Sequence, residues 1–501
     1  MNTKKATKRA LLTSVMALVM CVVMLVGTTF AWFTDTASTG VNKIQAGNLD
    51  IELQYATAWD NTTGAPTGWD KAEGKTLTFK TKDNRAADKI LWEPGCTYEL
   101  PELRIVNKGN LALKYKISIS GAKDATPEND KNDLKLLDVI DWTYSVSGAG
   151  GDATAELGTE RHLAAKTSEA DVFDTLTIKG QMQTSAGNDY QGMAIEGIAI
   201  TVVATQDTVE NDSFGNTYDQ DAEYPILVTT GEELQTIVSN ATAPVNIVLT
   251  NSITTNNFVI PKDKDVTLDL NGFTLTGGDT HAILNRGTLC IKDSSGNGKI
   301  VASKANTSAL RNAAVCVIEG GTFTRAAGEN NKWHTVENFG TMTFNGGKVI
   351  AEDGQSFAIV NGWNYINPGE QKATMTINNI EMKAGPNGLK NCAGGTLTMN
   401  DGILHCTGYW GLSNDSTGVA TINGGQIISD TYVAISNGGA KMEINGGTFT
   451  GPEGSLYVQR YAQKTVVTGG SYQNETVEFM QKYCPDGYTA KPEGNMVVVS
   501  R

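Results

Sequence analysis

A short turn motif recurs through the second half of the chain and constrains the fold more than any other feature of the sequence. Asn-Gly or Gly-Gly pairs, each followed by a turn-to-strand step, begin at positions 271, 320, 346, 424, 446 and 469, with weaker copies at 297, 378 and 401. Most of the spacings are 22 to 26 residues. A period of this length with short strands between the turns is typical of a solenoid, in which each coil buries its apolar face only by stacking on its neighbours.

A second marker runs in parallel with the first. Asn and Gly suit left-handed backbone positions at the corners of a coil, and stacked asparagine amides can hydrogen-bond to one another along the axis. The strands are rich in Val, Ile, Thr and Phe and lack the leucine ladder and helical segments of leucine-rich repeats. The sequence therefore favours a right-handed parallel β-helix over residues 223–474. The expected structural ladder has seven members, spaced by 23 to 30 residues: Asn285, Asn312, Asn338, Asn361, Asn391, Asn414 and Asn437.

Both ends of such a solenoid need a cap, because an open end exposes apolar core and unpaired strand edges. Thr230 and Glu233 form a capping box, and the apolar residues that follow have helical spacing, so a short helix is expected over 230–240. Residues 475–501 are expected to cap the other end.

The start of the chain has the features of an export signal. Four basic residues lie within the first nine, residues 10–27 are apolar, and Thr29 and Ala31 place small side chains before a cleavage site between Ala31 and Trp32. The alternative is an uncleaved anchor, since the apolar run is barely long enough to span a bilayer. With cleavage, residues 1–31 are removed and the mature protein is secreted, at the cell surface or in the extracellular matrix.

The segment around that site resembles a known family. Gly27–Asp35 (GTTFAWFTD) and Ala46–Ile51 (AGNLDI), together with Trp92–Gly95 (WEPG) and Ile105–Leu111 (IVNKGNL), resemble the TasA/camelysin proteins of Gram-positive bacteria. The resemblance covers roughly residues 10–220 and is patchy between about 120 and 190. It implies processing by a dedicated SipW-type signal peptidase, a jelly-roll β-sandwich over residues 32–222, and self-assembly into biofilm matrix fibres. In such fibres the mature N-terminal segment, about residues 32–45, adds as a strand to the next subunit.

The residues of this region agree with an all-β class. Residues 111–120 alternate apolar and polar side chains, as a half-buried strand does, and residues 195–204 form a second strand run. The acidic loop 121–135 lacks the spacing of a calcium loop. Some camelysins are described as metalloproteases, but the chain has no H-E-x-x-H motif and one histidine in this half, His162. No metal or other cofactor is expected.

Charge excludes one class of partner. The net charge is −14, and residues 32–225 hold 17 basic and 31 acidic residues. A nucleic-acid binder needs a basic patch, so no nucleic-acid partner is expected. The uneven charge also separates the chain into two modules.

The solenoid resembles the pectate-lyase-like superfamily in its glycine-rich form, which is common on bacterial surface proteins. That fold carries lyases, hydrolases, tailspikes and adhesins, so it implies no single function. Residues 226–501 contain no Asp-Asp pair, and His281 and His334 have no evident partner two coils away. No catalytic residue is assigned, and the favoured function is a fibre-forming or adhesive structural protein. The alternative is a polysaccharide lyase or glycoside hydrolase displayed at the cell surface.

Aromatic residues offer a glycan-binding face. Trp333, Phe357, Trp410 and Tyr432 precede ladder asparagines by four or five residues, and Trp363 and Tyr365 lie in the longest coil. Exposed rings can stack on sugars; the alternative is that some of them stack inside the solenoid. The candidate glycan-binding residues are Trp333, Trp363, Tyr365, Trp410 and Tyr432.

Six cysteines follow the signal, without any Cys-x-x-Cys pair. Cys290 and Cys316 are about one coil apart, which allows a disulfide between adjacent coils. Buried free thiols are the alternative.

Overall fold

The computed structural model describes residues 49–501 apart from positions 61, 74, 135 and 194 and the segments 81–91, 121–122, 125–133, 149–152, 156–158, 167–168, 197–198, 208–223, 327–332, 353–355 and 363–371. The expected signal peptide, its cleavage site at Ala31 and Trp32, the strand-donor segment 32–45, and the residues Trp363 and Tyr365 lie outside the described residues. In the part of the chain that is described, no helix is long and apolar enough to cross a membrane.

The first part of the chain forms antiparallel sheets. Its strands are β1 (Ile51–Trp59), β2 (Pro66–Lys71), β3 (Thr97–Glu99), β4 (Leu103–Asn107), β5 (Leu113–Ser120), β6 (Lys123–Asp124), β7 (Ile140–Gly148), β8 (Ala153–Ala155), β9 (Arg161–Leu163), β10 (Val172–Met182), β11 (Ile195–Glu196) and β12 (Ala199–Gln206), with 3₁₀ turns at Leu136–Val139 and Asn188–Tyr190. A seven-stranded sheet has the order β2-β1-β4-β10-β7-β8, with β3 beside β10. A three-stranded sheet has the order β12-β5-β9, and β6 pairs with β11.

The two larger sheets pack face to face. Leu103 and Leu176 of the seven-stranded sheet share one buried cluster with Leu113 and Leu163 of the three-stranded sheet. The region is therefore sandwich-like. The strand predicted at 111–120 is observed as β5, and the run predicted at 195–204 is divided between β11 and β12.

A buried polar group joins these two sheets. Tyr115 of β5 donates its hydroxyl to Asp174 Oδ2 of β10 at 2.7 Å, and Arg161 Nε of β9 donates to the same oxygen at 3.0 Å. Asp174 is 0% exposed and Arg161 is 7% exposed. Burial, together with the neighbouring carboxylate, raises the pKa of Tyr115 well above its ordinary value, so the hydroxyl keeps its proton. A paired, hydrogen-bonded charge is the form in which a carboxylate tolerates burial.

The second part of the chain is a parallel β-solenoid with three sheets, named sheets 1, 2 and 3 in the order in which each coil visits them. Sheet 1 contains Ile226–Val228, Val245–Leu249, Asp265–Asp269, Thr288–Lys292, Val315–Ile318, Thr341–Phe344, Thr374–Ile377, Thr396–Met399, Val419–Ile422, Lys441–Ile444 and Thr465–Val467. Sheet 2 contains Ile253–Thr255, Thr274–Gly277, Lys299–Ala302, Thr322–Arg325, Lys348–Ala351, Glu381–Ala384, Ile403–Cys406, Gln426–Ser429, Thr448–Thr450 and Gly470–Gln473. Sheet 3 contains Val259–Ile260, Ile283–Asn285, Leu310–Asn312, Val336–Asn338, Phe357–Asn361, Asn387–Asn391, Trp410–Asn414, Val433–Asn437 and Leu456–Val458.

The strands of the solenoid alternate buried and partly exposed residues, as a sheet with one buried face requires. In sheet 1, Ile318, Phe344 and Ile377 lie opposite one another on successive coils and are each 0% exposed. One continuous apolar core runs from Val228 to Val499. Stacking of like positions is therefore what fixes the register of one coil on the next.

The Asn-Gly-Gly turns connect sheet 1 to sheet 2, and their glycines have distinct roles. A Cβ on Gly446 would lie 2.6 Å from the backbone oxygen of Asn423 on the preceding coil. Gly447 has a φ of +113°, in the region that favours glycine. The first glycine allows close approach of two coils, and the second allows the chain to turn.

Both ends of the solenoid are covered. Helix α1 (Gly231–Asn240) begins at the predicted capping box, where Thr230 Oγ1 accepts the Glu233 amide at 3.2 Å, and it buries Leu234 and Val238. At the other end stand α2 (Val477–Gln481) and a hairpin of Thr489–Glu493 and Met496–Ser500, whose second strand pairs antiparallel with Gly470–Gln473. The hairpin closes the edge of sheet 2.

Candidate functional site

The seven asparagines expected to form a ladder stand at the ends of the sheet 3 strands, in register and each 0% exposed. Each of the first six donates its side-chain amide to the Oδ1 of the next, at 2.7 to 2.9 Å. Each of these amides also donates to a sheet 1 carbonyl, as Asn361 Nδ2 does to the oxygen of Thr396 at 3.0 Å. The ladder thus joins each coil to the next and satisfies buried carbonyls at the corner.

A second ladder was missed by the sequence analysis. It lies on the outside of the solenoid, where sheet 1 ends, and its amides donate towards the N-terminus instead of the C-terminus. Asn378 Nδ2, for example, donates to Asn345 Oδ1 at 2.8 Å. The signal that could have found it is the pattern T-x-T-x-N, which precedes the glycine pairs on several coils. Its members are Asn345, Asn378, Asn400, Asn423 and Asn445.

The structure divides the predicted glycan-binding residues. Trp410 and Tyr432, on adjacent coils, have ring centroids 6.5 Å apart and meet edge to face. Tyr409, which the sequence analysis did not select, is 58% exposed and contacts both of them, with centroid distances of 5.8 and 6.3 Å. These three residues form one aromatic patch at the corner between sheets 2 and 3. Trp333 stands apart from it, against His334 at 5.4 Å.

The polar groups of the aromatic patch suit a hydroxylated ligand. Nε1 of Trp410 is shielded from solvent and has no hydrogen-bond partner in the structure. Asn387 lies directly opposite Trp410 in the neighbouring strand, where it is partly exposed. An apolar ring surface beside a partly exposed amide is a combination with which proteins hold sugars, because the rings cover C–H faces and the amide bonds hydroxyls.

A charged cluster lies nearer the N-terminal end of sheet 3. Glu337 occupies an outward position of its strand yet is 0% exposed. Ser308 Oγ donates to Glu337 Oε2 at 2.6 Å, and Arg311 Nη1 and His281 Nδ1 each lie 3.9 Å from the same oxygen. The expectation that His281 has no partner two coils away is wrong, because Glu337 of the second coil on and Arg311 of the next coil both lie beside its ring. Arg311 also stacks on the ring of Phe339, 4.9 Å away.

Burial controls the protonation of this cluster. Burial raises the pKa of Glu337. The hydrogen bond from Ser308 and the charge of Arg311 lower this pKa, but the effect of burial is larger. Burial lowers the pKa of His281 to about 4 and that of His334 to about 4, so both imidazoles are neutral at neutral pH. His281 Nδ1 lies 2.9 Å from the Ser308 amide nitrogen and its Nε2 lies 3.2 Å from Arg311 Nη1, so both ring nitrogens face donors.

The cluster differs from the sites of known hydrolytic chemistry in its geometry. Glycoside hydrolysis uses two carboxylates that flank the scissile bond, and the described hydrogen-bond and electrostatic partners of Glu337 are Ser308, Trp333, Arg311, Arg325 and His281, none of which is a carboxylate. Ser308 is 0% exposed and directs its hydroxyl to Glu337. Among the described residues, no group of three or more His, Cys, Asp or Glu side chains could hold a metal ion.

All six cysteines in the described part of the chain are free thiols. Cys290 pairs in register with Val317, and Cys316 pairs with Leu289, so the two cysteines of adjacent coils face opposite sides of sheet 1. Burial raises the pKa of Cys392 and of Cys406 to about 11, which keeps these thiols protonated.

Comparison of the chain with models of protein families, with curated proteins and with solved structures found no match.

Proposed function

We propose that the protein is an extracellular structural protein that adheres to glycans. In this proposal the leader directs secretion, and the N-terminal region, with the jelly-roll fold that the TasA/camelysin resemblance implies, assembles into matrix fibres by strand donation from residues 32–45. The solenoid, a right-handed β-helix in this proposal, is a stiff shaft that presents a binding surface.

The proposal that the protein adheres to glycans rests on the aromatic patch. Tyr409, Trp410 and Tyr432 come from two adjacent coils and are held by the ladder and core beneath them. A site built on stacked strands is pre-organised, so little conformational entropy is lost when a sugar binds. The exposure of Tyr409, at 58%, leaves ring surface available to a ligand.

The test is binding of cellulose, xylan and chitin oligosaccharides to the chain that begins at Trp32, measured by titration calorimetry and a polysaccharide pull-down. The variant Trp410→Ala is expected to bind at least tenfold more weakly, because it removes the central ring from the patch. Trp59→Ala is the matched control: Trp59 is 37% exposed and lies in the N-terminal region, beside Lys80. Equal binding by the unsubstituted chain, Trp410→Ala and Trp59→Ala would contradict the proposal that the patch binds glycans. So would a lack of binding to all three glycans.

One observation favours the alternative of a polysaccharide lyase or hydrolase. Glu337 is a buried carboxylate with a raised pKa, and such groups serve as general acids in some active sites. Release of reducing ends or of unsaturated products from the same glycans, lost in Glu337→Gln, would establish the enzyme. The adhesive function predicts no product from any of them.

A further inference from the structure

Exposed tyrosines are concentrated on one side of the solenoid. In the described part of the chain, the three most exposed tyrosines are Tyr409, Tyr457 and Tyr461, at 58%, 48% and 57%. All three belong to the last coils of sheet 3, where Tyr409 directly precedes the strand Trp410–Asn414 and Tyr457 lies within Leu456–Val458. Apolar side chains that are exposed singly need no explanation, whereas several on one face mark a binding surface.

Tyr457 and Tyr461 flank an amide that is fixed in place. Tyr457 pairs in register with Ser436 of the preceding coil. Two residues further along the chain, Gln459 Nε2 donates to Ser436 Oγ at 2.8 Å, and Ser436 is 0% exposed. A carboxamide has two donor hydrogens and an acceptor oxygen. The bond to Ser436 uses one donor and holds the partly exposed amide where it can bond a hydroxyl of a ligand.

A glycine provides the space for this arrangement. A Cβ on Gly438 would lie 2.6 Å from Cε2 of Tyr461 and 2.9 Å from Oε1 of Gln459. The ring and the amide therefore lie against the backbone of the preceding coil, where a larger side chain would displace them. We call Tyr457, Gln459 and Tyr461 the tyrosine subsite.

The tyrosine subsite and the aromatic patch lie on the same side of the solenoid. Tyr432 of the patch precedes the strand Val433–Asn437, and Gly438, against which Tyr461 lies, follows it. The six residues from Tyr432 to Gly438 span roughly 20 Å at about 3.3 Å each. Tyr457 lies between the two ends, one coil further on. Aromatic rings therefore stand at both ends of the strand and near its middle.

The separation of the rings indicates the chemistry of the ligand. A protein partner covers a continuous apolar core with a polar rim, but here the amide of Gln459 lies between the rings of Tyr457 and Tyr461. A sugar chain presents C–H faces to rings and hydroxyl edges to amides. The distance of roughly 20 Å between the outer rings exceeds the size of a single sugar, so the ligand that fits is an extended chain.

We infer that the tyrosine subsite is a second glycan-binding site, and that one polysaccharide chain runs along the sheet 3 strands from the aromatic patch to it. The inference rests on the proposed glycan adhesion and deepens it, because it names an extended chain as the ligand. Two subsites on one rigid shaft bind a chain more tightly than either alone, since the second contact is intramolecular.

The test is titration calorimetry of the chain that begins at Trp32 with the disaccharides and hexasaccharides of cellulose, xylan and chitin. A disaccharide is too short to reach both subsites, so a hexasaccharide is expected to bind at least tenfold more tightly than its disaccharide. Tyr461→Ala should abolish this difference and change the disaccharide affinity less than threefold. Trp410→Ala should weaken the binding of both. Arg460→Ala is the matched control, because Arg460 is exposed and adjacent to Tyr461, and it should retain the difference.

The outcomes separate this inference from the proposed function. Binding that depends on Trp410 but is equal for disaccharide and hexasaccharide overturns the inference and leaves glycan adhesion in place. So does a hexasaccharide advantage that survives Tyr461→Ala. A lack of binding to all of these oligosaccharides overturns both. Loss of self-association in Tyr461→Ala, with an unchanged hexasaccharide affinity, would assign the rings to a contact between copies of the chain and equally overturn the inference.

Discussion

Asn361 donates its side-chain amide to Oδ1 of Asn391 at 2.8 Å, although 30 residues of chain separate them. The two residues pair in register in sheet 3. The coil between them is the longest between neighbouring ladder members, and it contains the segment 363–371. The ladder therefore stays continuous where the coil length changes.

The ladder predicts a stability difference between two kinds of asparagine. Asn361→Ala leaves Asn391 Oδ1 and the Thr396 carbonyl without their donor in a buried corner, so the free energy of unfolding should fall by about 2–4 kcal/mol. Asn378→Ala, in the exposed outer ladder, should cost less than about 1 kcal/mol. Guanidinium unfolding of both variants measures the difference; equal losses would show that the inner ladder has no special role.

The turn glycines predict a steric effect. Gly446→Ala places a Cβ 2.6 Å from the Asn423 oxygen, so the coil must shift and the variant should lose about 1–3 kcal/mol of stability. Gly187→Ala is the control, because nothing lies within 4 Å of its added Cβ and its φ is −85°. Thermal unfolding of both proteins is the measurement, and an unchanged melting temperature in Gly446→Ala would contradict the close approach of the coils.

The buried pair of Arg161 and Asp174 in the N-terminal region predicts that Arg161 contributes more to the free energy of unfolding than an exposed cation does. Arg161→Met leaves the buried Asp174 carboxylate with the Tyr115 hydroxyl but without its arginine, at a cost of about 3–5 kcal/mol. Lys179→Ala removes a pair with Glu99 whose side chains are half exposed, and should cost less than about 1 kcal/mol. Urea unfolding of both variants measures the two costs; similar costs would argue against the pairing across the sheets.

The two buried histidines predict loss of stability in acid. Burial lowers the pKa of His281 and of His334 to about 4, so between pH 6.5 and 4 the unfolded chain binds protons that the folded chain does not. The free energy of unfolding therefore falls on acidification through this window, by up to about 3 kcal/mol for each histidine. Glu337 has the opposite slope, because burial raises its pKa and favours the folded state at low pH.

The double variant His281→Gln/His334→Gln isolates the histidine effect. It should flatten the pH dependence of the melting temperature between pH 6.5 and 4 and change it least at pH 8, where both histidines are neutral. A pH dependence identical to that of the unsubstituted chain would show that neither histidine is held neutral by burial.

The solenoid could be predicted from the regular spacing of its asparagines and glycine pairs and from local sequence motifs. The spacing of the asparagines placed all seven inner-ladder members, and the capping box placed α1 at Thr230. What spacing alone could not supply was which side of a strand a residue faces: Cys290 and Cys316 are one coil apart but differ by one position in register. Glu337 was missed as a partner of His281 because the two are 56 positions apart in the chain, and only the exact coil lengths bring them together.

The outer ladder and Tyr409 were not predicted from the sequence for a different reason. Glycine pairs drew attention to the turns, while the threonines and asparagines before them repeat more weakly in the sequence. Tyr409 lies beside Trp410 in the chain, but its contact with Tyr432 depends on the geometry of the corner.

The most direct measurement of the proposed structural function compares the chain that begins at Trp32 with one that begins at Ala46, by light scattering and negative-stain electron microscopy. Fibres from the longer protein alone are the predicted result, because residues 32–45 supply the donated strand. Monomers from both proteins, or equal fibres from both, would contradict assembly by strand donation.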